Sequence, residues 1–379
     1  MRIDLPTEDG ARVGYEMRGV PLPHTPMPPK PARVVYAAAH VVADPFADSD
    51  PASGAIDWAA TLAFRRHLAG LGLGIAEAMD TAQRGMGLGW PGALELISQT
   101  LREVPEAQVF NGIGTDHVSK PDGLDAVARA YLEQLDAVQT LGGRVIVMAS
   151  RALAAVATGP EAYLAVYRRV LAAADRPVIL HWLGEMFDPQ LAGYWGHADL
   201  DAATDTVIAL IEERADKIDG IKISLLDKAR EVAIRRRLPA GVRMYTGDDF
   251  NYPALIAGDD HGHSDALLGV FDPLAPLAAQ AIGQLSRGDV AGFHATLDPT
   301  LPLARLMFCA PTQHYKSGVV FLAWLNGFQD HFVMLGGAQA ARPLPYYTGL
   351  FRAADRLGLF RDPEKARDRM TRLLALYGF

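Results

Sequence analysis

From residue 33 onward the chain alternates between short apolar runs and longer stretches whose apolar residues recur every three or four positions. The runs are "RVVYAAAHVVAD", "LGIAEAMDT", "AQVFNGIGTD", "RVIVMAS", "RPVILHWLG", "DGIKISLLD", "VRMYTGDD" and "HSDALLGVF". Their length and near-continuous apolar character are those of parallel strands covered on both faces. Between them, "GWPGALELISQTLREV", "GLDAVARAYLEQLDAVQTLG" and "PEAYLAVYRRVLAAAD" carry a helical period, and the third opens with Pro160 at a first helical position. Strand–helix units repeated over about 240 residues predict an α/β fold, a TIM (β/α)8 barrel. The competing arrangement is a doubly wound open sheet. It wants a glycine-rich turn after an early strand, whereas "GLGLGIAE" precedes its strand.

The rhythm changes beyond residue 285. "AGFHATLDPTLPLARLMF", "YKSGVVFLAWLNGFQDHFVML" and "PEKARDRMTRLLALYGF" read as helices with no strands between them. At the other end, "VPLPHTPMPPKP" is too proline-rich for helix or central strand. The expected organisation is an irregular arm over 1–32, a barrel over 33–290 and a helical C-terminal extension over 291–379.

Charge and composition narrow the partners. Thirty-six basic residues stand against 44 acidic ones, a net charge of −8 with no long basic run, which argues against nucleic acid. The single cysteine, Cys309, provides neither a disulfide framework nor a cysteine metal cluster, and fits a reducing cytoplasm. No signal-like segment opens the chain. The most apolar late stretch, Gly318 to Leu335, is interrupted by Asn326, Gln329, Asp330 and His331, so it reads as a buried helix and no membrane span is expected.

In such a barrel the chemistry lies at the C-terminal ends of the strands. The polar residues there are His40, Glu77, Asp80, Thr81, Asn111, Thr115, Asp116, His117, Ser150, Arg151, His181, Lys222, Ser224, Thr246, Asp248 and Asp249. Lys222 stands out. In "DGIKISLL" the side chains of Ile221, Ile223 and Leu225 share one face and Lys222 and Ser224 take the other. If the isoleucines face the helices, the lysine points into the barrel. Burial disfavours its charge, and a neutral amine attacks carbonyls to form a Schiff base. The competing reading is a lysine paired with Asp80 or Asp248 that only holds the barrel together.

The motifs "DGIKIS", "FNGIGTD", "RPVILHWLG" and "YTGDDFNYPALIAGDDHGHSDALLGVFDPLAPL" resemble, in order and spacing, strands of the dihydrodipicolinate synthase and N-acetylneuraminate lyase superfamily of class I aldolases. The resemblance runs over roughly residues 33 to 290 and extends to a helical C-terminal region. It implies a Schiff-base role for Lys222. Two departures stand out. The family's Gly-Thr-Thr-Gly-Glu carboxylate-binding turn is replaced by "MDTAQ", which keeps Thr81 but puts Asp80 where a second threonine would be. A carboxylate there repels a substrate carboxylate and suits hydroxyls or a cation. The family's strand-four tyrosine is also missing from "VIVMASRAL", where Ser150 and Arg151 stand.

The expected enzyme is a class I aldolase or lyase that needs no cofactor and acts on a small keto acid or keto sugar. Lys222 and His181 are the catalytic candidates, His181 because an unperturbed imidazole titrates near neutrality. His40, Asp80, Thr81, Asn111, Ser150, Thr246 and Asp248 are the substrate-binding candidates. An alternative is a divalent-metal isomerase, epimerase or lyase drawing ligands from His40, Glu77, Asp80, His117, His181, Asp248 and His263. The metal-like "DDHGHSD" falls before strand eight, on the opposite face. A second alternative is a barrel that binds small molecules without chemistry. The apolar "GVVFLAWL" would bury surface against a second subunit, giving a homo-oligomer, dimer or tetramer.

Overall fold

A computed structural model of the chain describes residues 1–7, 9–47 and 55–379. The N-terminal segment is not wholly irregular as expected. Arg2–Pro6 (β1) and Arg12–Glu16 (β2) pair as an antiparallel hairpin. The proline-rich run begins only after it.

The eight predicted runs each supply one barrel strand: Val35–Ala38 (β3), Gly74–Glu77 (β4), Val109–Ile113 (β5), Arg144–Val147 (β6), Val178–Leu183 (β7), Ile218–Ser224 (β8), Arg243–Thr246 (β9) and Asp265–Leu268 (β10). All pair in parallel, and β10 closes on β3. This is the TIM barrel that the strand–helix rhythm predicts. Helices return the chain between strands: Trp58–Gly70 (α1), Trp90–Glu103 (α2), Leu124–Thr140 (α3), Arg151–Val156 (α4), Pro160–Ala173 (α5), Leu200–Glu213 (α6), Lys228–Arg235 (α7) and Tyr252–Ala257 (α8). After β10 come Ala275–Ser286 (α9), Val290–Leu297 (α10), Leu301–Met307 (α11), Tyr315–Leu325 (α12), Leu344–Arg356 (α13) and Pro363–Leu376 (α14).

Strand alternation sorts the core into two layers. Tyr36, Ala38, Ala76, Phe110, Ile146, Ile179, Tyr245 and Leu267 cluster inside the barrel. Val145, Val147, Leu180, Ile221, Ile223 and Met244 pack outward against helices. Tyr36 meets Phe110 edge-on at 5.4 Å and Tyr245 at 6.1 Å, and these rings form the barrel floor. Two glycines make room for them. A Cβ at Gly74 would lie 2.4 Å from Tyr36, and one at Gly220 2.6 Å from Tyr245. At the N-terminal rim Tyr245 donates to Asp219 at 2.6 Å, and Arg144 and Arg243 reach the same carboxylate at 3.2 and 2.9 Å. The floor is thus sealed, which leaves the C-terminal mouth for chemistry.

The extension lies against the barrel. Every residue of α12 is buried, so of the two placements open to the extension, on the barrel or on another subunit, "GVVFLAWL" takes the one within the chain. Asp355 of α13 accepts from the Tyr15 hydroxyl at 2.8 Å and the Arg18 amide at 2.9 Å, tying the N-terminal segment to the extension. Among the described residues no helix is long and apolar enough to cross a membrane.

Candidate active site

Lys222 sits on β8 beside His181 of β7 and Tyr245 of β9. With Ile221 and Ile223 turned outward, its side chain enters the barrel, where it lines a narrow chamber of about 20 Å³. Gly247 makes this possible, since a Cβ there would stand 2.8 Å from Lys222 Cε and 2.3 Å from Ser224 Oγ. The lysine is 7 % exposed and makes no hydrogen bond or ion pair with any described residue. Burial lowers its pKa, opposed by the charges of Asp80 and Asp249.

Those two carboxylates share the chamber with Thr81, Ser224 and Tyr315. Asp80 opens a short 3-10 turn after β4, and its carboxylate also has no direct partner among the described residues. Asp249 accepts from the Val270 amide at 3.0 Å, and burial pushes its pKa up to about 7. Tyr315 heads α12, shares a 2.8 Å hydrogen bond with Thr81 and stacks on Phe308 at 4.3 Å. Burial raises the phenol well above its ordinary value, helped by Asp80. A Cβ at Gly269 would meet Tyr315, Phe308 and Thr81 at 3.2 to 3.3 Å, so the bare backbone there admits the stacked pair.

A second chamber of about 20 Å³ shares Asp80, Leu183, Phe187 and Tyr315 with the first and adds Arg84, Arg151, Asp188 and Lys316. Both adjoin a cleft of about 360 Å³, which Thr115, Ser150 and His181 line as well. Ser150 Oγ lies 2.6 Å from Thr115 Oγ1 and caps α4 through the Leu153 amide. His181 Nε2 is 3.3 Å from Ser224 Oγ, while Nδ1 has no partner among the described residues. The near-neutral titration expected of His181 does not hold. Burial drives its pKa well below 6.5, and any positive charge on Lys222 acts in the same direction, so the ring is neutral.

The strand-end candidates divide by face. Lys222, His181, Asp80, Thr81 and Ser150 line the cavities. Four others do not. His40 Nδ1 bonds Asp272 at 2.8 Å and its ring packs on Phe64 behind the barrel wall. Asn111 follows the inward Phe110, so it turns outward and donates to the Arg144 carbonyl at 2.9 Å. Thr246 likewise follows the inward Tyr245 and donates to Glu231 at 3.0 Å. Asp248 is spent on its own turn, accepting from the Phe250 and Asn251 amides and the Asn251 side chain. The substrate-binding assignments of these four are therefore corrected.

The residues considered for a metal also scatter. Glu77 is bidentate to Arg65, His117 contacts Glu133, and Asp259 of "DDHGHSD" pairs with Arg235 and Arg236. Among the described residues no three His, Cys, Asp or Glu side chains converge as a metal site would require. Sequence reasoning missed Tyr315 and Lys316. Their only signal was polar residues heading an otherwise apolar helix, "YKSGVVFLAWL".

Comparison with known proteins places the fold. One family model, described as "Protein of unknown function (DUF993)", matches residues 3–379. The 4-hydroxy-tetrahydrodipicolinate synthase of Laribacter hongkongensis (strain HLHK9) is 29% identical over 147 residues, 38% of this chain and 44% of that enzyme. The chain thus spans less than half the length of that curated relative. Among solved structures, YagE from E. coli K12, a prophage protein of the dihydrodipicolinic acid synthase family in complex with pyruvate, superposes with a TM-score of 0.69 at 16% identity. That match covers 86% of this chain and 99% of that one. The chloride-inhibited dihydrodipicolinate synthase from Acinetobacter baumannii complexed with pyruvate gives 0.64 at 18% identity, covering 86% and 99%. The dihydrodipicolinate synthase from Oceanobacillus iheyensis gives 0.63 at 16% identity, covering 89% and 97%. The fold is therefore the barrel of the dihydrodipicolinate synthases, in line with the strand motifs, and the chain itself belongs to the family of unknown function whose model it matches over nearly its whole length.

Proposed function

We propose that this protein is a Schiff-base-forming lyase or aldolase acting on a small carbonyl compound. The observation that carries the reading is Lys222, a buried amine on the inner wall of the barrel mouth, without a direct partner and beside two carboxylates. A neutral Nζ attacks the carbonyl carbon, the displaced π pair goes to oxygen, and the proton that the nitrogen gives up passes to that oxygen. Asp249, whose carboxyl burial pushes above the usual carboxylate range, gives a proton to the departing hydroxyl. Water leaves and the protonated imine remains. The iminium accepts the electron pair of the Cα–Cβ bond as Asp80 takes the proton of the Cβ hydroxyl and that carbon leaves as a carbonyl, or it accepts the pair of a Cα–H bond as Asp80 takes that proton. Reprotonation of the enamine and addition of water release the product and the free amine. Condensation is the same sequence reversed.

Thr81 and Ser150 supply hydroxyls to substrate oxygens. His181, held neutral by its burial, acts as a hydrogen-bonding partner through Ser224 and not as a charged acid. The chamber at Lys222 holds roughly one water. A substrate therefore enters through the larger cleft and requires Leu183 or Phe187 to turn aside.

The reading is tested by incubating the protein with a panel of keto acids and keto sugars, adding borohydride and mapping the reduced adduct by peptide mass. An adduct on the peptide carrying Lys222, lost in Lys222→Met, is expected. Absence of any adduct across the panel, or an adduct confined to surface lysines, overturns it.

A further inference from the structure

The charges of the mouth are not evenly spread. The Lys222 chamber has two carboxylates and hydroxyls but no second cation, whereas Arg84, Arg151 and Lys316 all stand in the second chamber, beyond Asp80, Phe187 and Tyr315. Two of these three cations are already engaged. Arg84 pairs with Asp116 and also bonds Gln134 and two carbonyls, and Arg151 pairs with Asp188. Lys316 is different. It is 5 % exposed, and its ammonium contacts the Gln313 carbonyl at 3.2 Å and the Met86 sulfur at 3.3 Å and lies over the Tyr315 ring at 5.1 Å, with no carboxylate within ion-pair distance among the described residues. A thioether, one carbonyl and a ring face leave a buried ammonium with three donors short of an anionic partner. Burial accordingly lowers its pKa, and Asp80 and Asp188 offset this only from a distance.

We propose that Lys316 anchors an anionic group of the substrate that is distal to the reacting carbonyl, so that the ligand class is a hydroxylated carbonyl compound with a terminal carboxylate or phosphate. The inference rests on the Lys222 reading for the position of the carbonyl and extends it to the rest of the molecule. The carbonyl carbon lies at Lys222. Hydroxyls on the intervening carbons donate to Asp80, which stands in both chambers. The anion reaches Lys316 in the second. A carboxylate directly next to the carbonyl would instead face Asp80 and Asp249, with no cation but Lys222 itself. The anchoring residue belongs to α12, so the helical extension is part of the site and not only a brace for the barrel.

Two measurements separate this inference from the Schiff base. In the first, wild type, Lys316→Met and Lys316→Arg are titrated calorimetrically with glycerol 3-phosphate and with gluconate. Both carry hydroxyls and an anionic end but no carbonyl, so neither forms an imine. Wild type binds one of them, which identifies phosphate or carboxylate. Lys316→Met weakens that binding on the order of tenfold or more, and Lys316→Arg recovers part of it. Failure of wild type to bind either anion, or equal affinity in a folded Lys316→Met, overturns the inference. In the second, wild type alone is trapped with borohydride in the presence of dihydroxyacetone, dihydroxyacetone phosphate, 4-oxopentanoate and pyruvate. Faster trapping of a compound with a distal anion than of dihydroxyacetone and pyruvate supports the inference; equal trapping, or an adduct on Lys316 itself, overturns it. Anion binding that depends on Lys316 without any adduct at Lys222 leaves the inference standing and removes the Schiff base.

Discussion

Glu231 offers a test of the electrostatic reasoning at a position away from the proposed chemistry. Its carboxyl is buried behind β9 and accepts from Ser264 Oγ at 2.7 Å and Thr246 Oγ1 at 3.0 Å. Burial is the largest influence on it, and raises its pKa from 4.5 to about 8. The folded state therefore holds a proton that the unfolded chain has already released. For an acid displaced upward, stability is fully present below the unfolded value and drains away as pH rises to the folded value. Over the interval from 4.5 to about 8, at about 1.4 kcal/mol per pH unit, the loss is roughly 5 kcal/mol, of which roughly 3 has gone by pH 7. Glu231→Gln removes the titration while keeping an oxygen to accept from one hydroxyl, at a cost of about 1 kcal/mol for the altered hydrogen bond. Thermal melting of both proteins at half-unit steps from pH 5 to 8 reads the difference, in which other titrating groups cancel. The variant should match or fall below wild type near pH 5 and exceed it by about 2 kcal/mol at pH 7. Parallel curves across that range would refute the reasoning.

Other expected outcomes concern the barrel mouth and its support. Gly220→Ala forces a methyl to within 2.6 Å of the Arg243 carbonyl and of the Tyr245 ring, so the melting midpoint should drop by the equivalent of about 1–3 kcal/mol. Glu77→Leu strands the buried Arg65 guanidinium, with a cost of about 3–5 kcal/mol by denaturant unfolding, whereas Arg65→Met combined with Glu77→Leu should recover most of it. Tyr315→Phe removes the 2.8 Å hydrogen bond to Thr81 while keeping the stack on Phe308. Because that bond fixes the Thr81 hydroxyl offered to the substrate, borohydride trapping at Lys222 should slow by up to about tenfold with the melting midpoint little changed; an unaltered trapping rate would mean that Tyr315 does not position Thr81 for the substrate.

The barrel was legible because its strands are short, apolar and punctuated, and because a parallel sheet covered on both faces leaves that signature in each of them. The inward turn of Lys222 was legible too, since Ile221 and Ile223 fix the alternation. The same parity could have sorted the other candidates. Asn111 follows Phe110 and Thr246 follows Tyr245, and both aromatic residues are floor residues. Position at a strand end says only that a side chain is near the mouth, and a step of one residue reverses its face. His40 was misassigned for another reason. It lies past the end of β3, where alternation no longer applies, and the Asp272 that claims it is distant in sequence. The hairpin was hidden by the proline-rich run that follows, although "RIDLP" and "RVGYE" flank Gly10, whose φ of 83° suits a turn. Tyr315 and Lys316 were out of reach, because no local pattern tells that a helix of the extension reaches the barrel mouth.

Every step proposed here needs Lys222 to be an amine, and the chain makes that directly measurable because it has seven lysines. With lysine labelled by carbon-13 at Cε, each side chain gives one resonance whose shift follows its charge, and Lys222→Met identifies the one that matters. Titrated from pH 6 to 11, the Lys222 resonance should pass through its midpoint below the ordinary value of 10.5. A midpoint at or above that value would mean an ammonium held by its carboxylates, and would contradict the account.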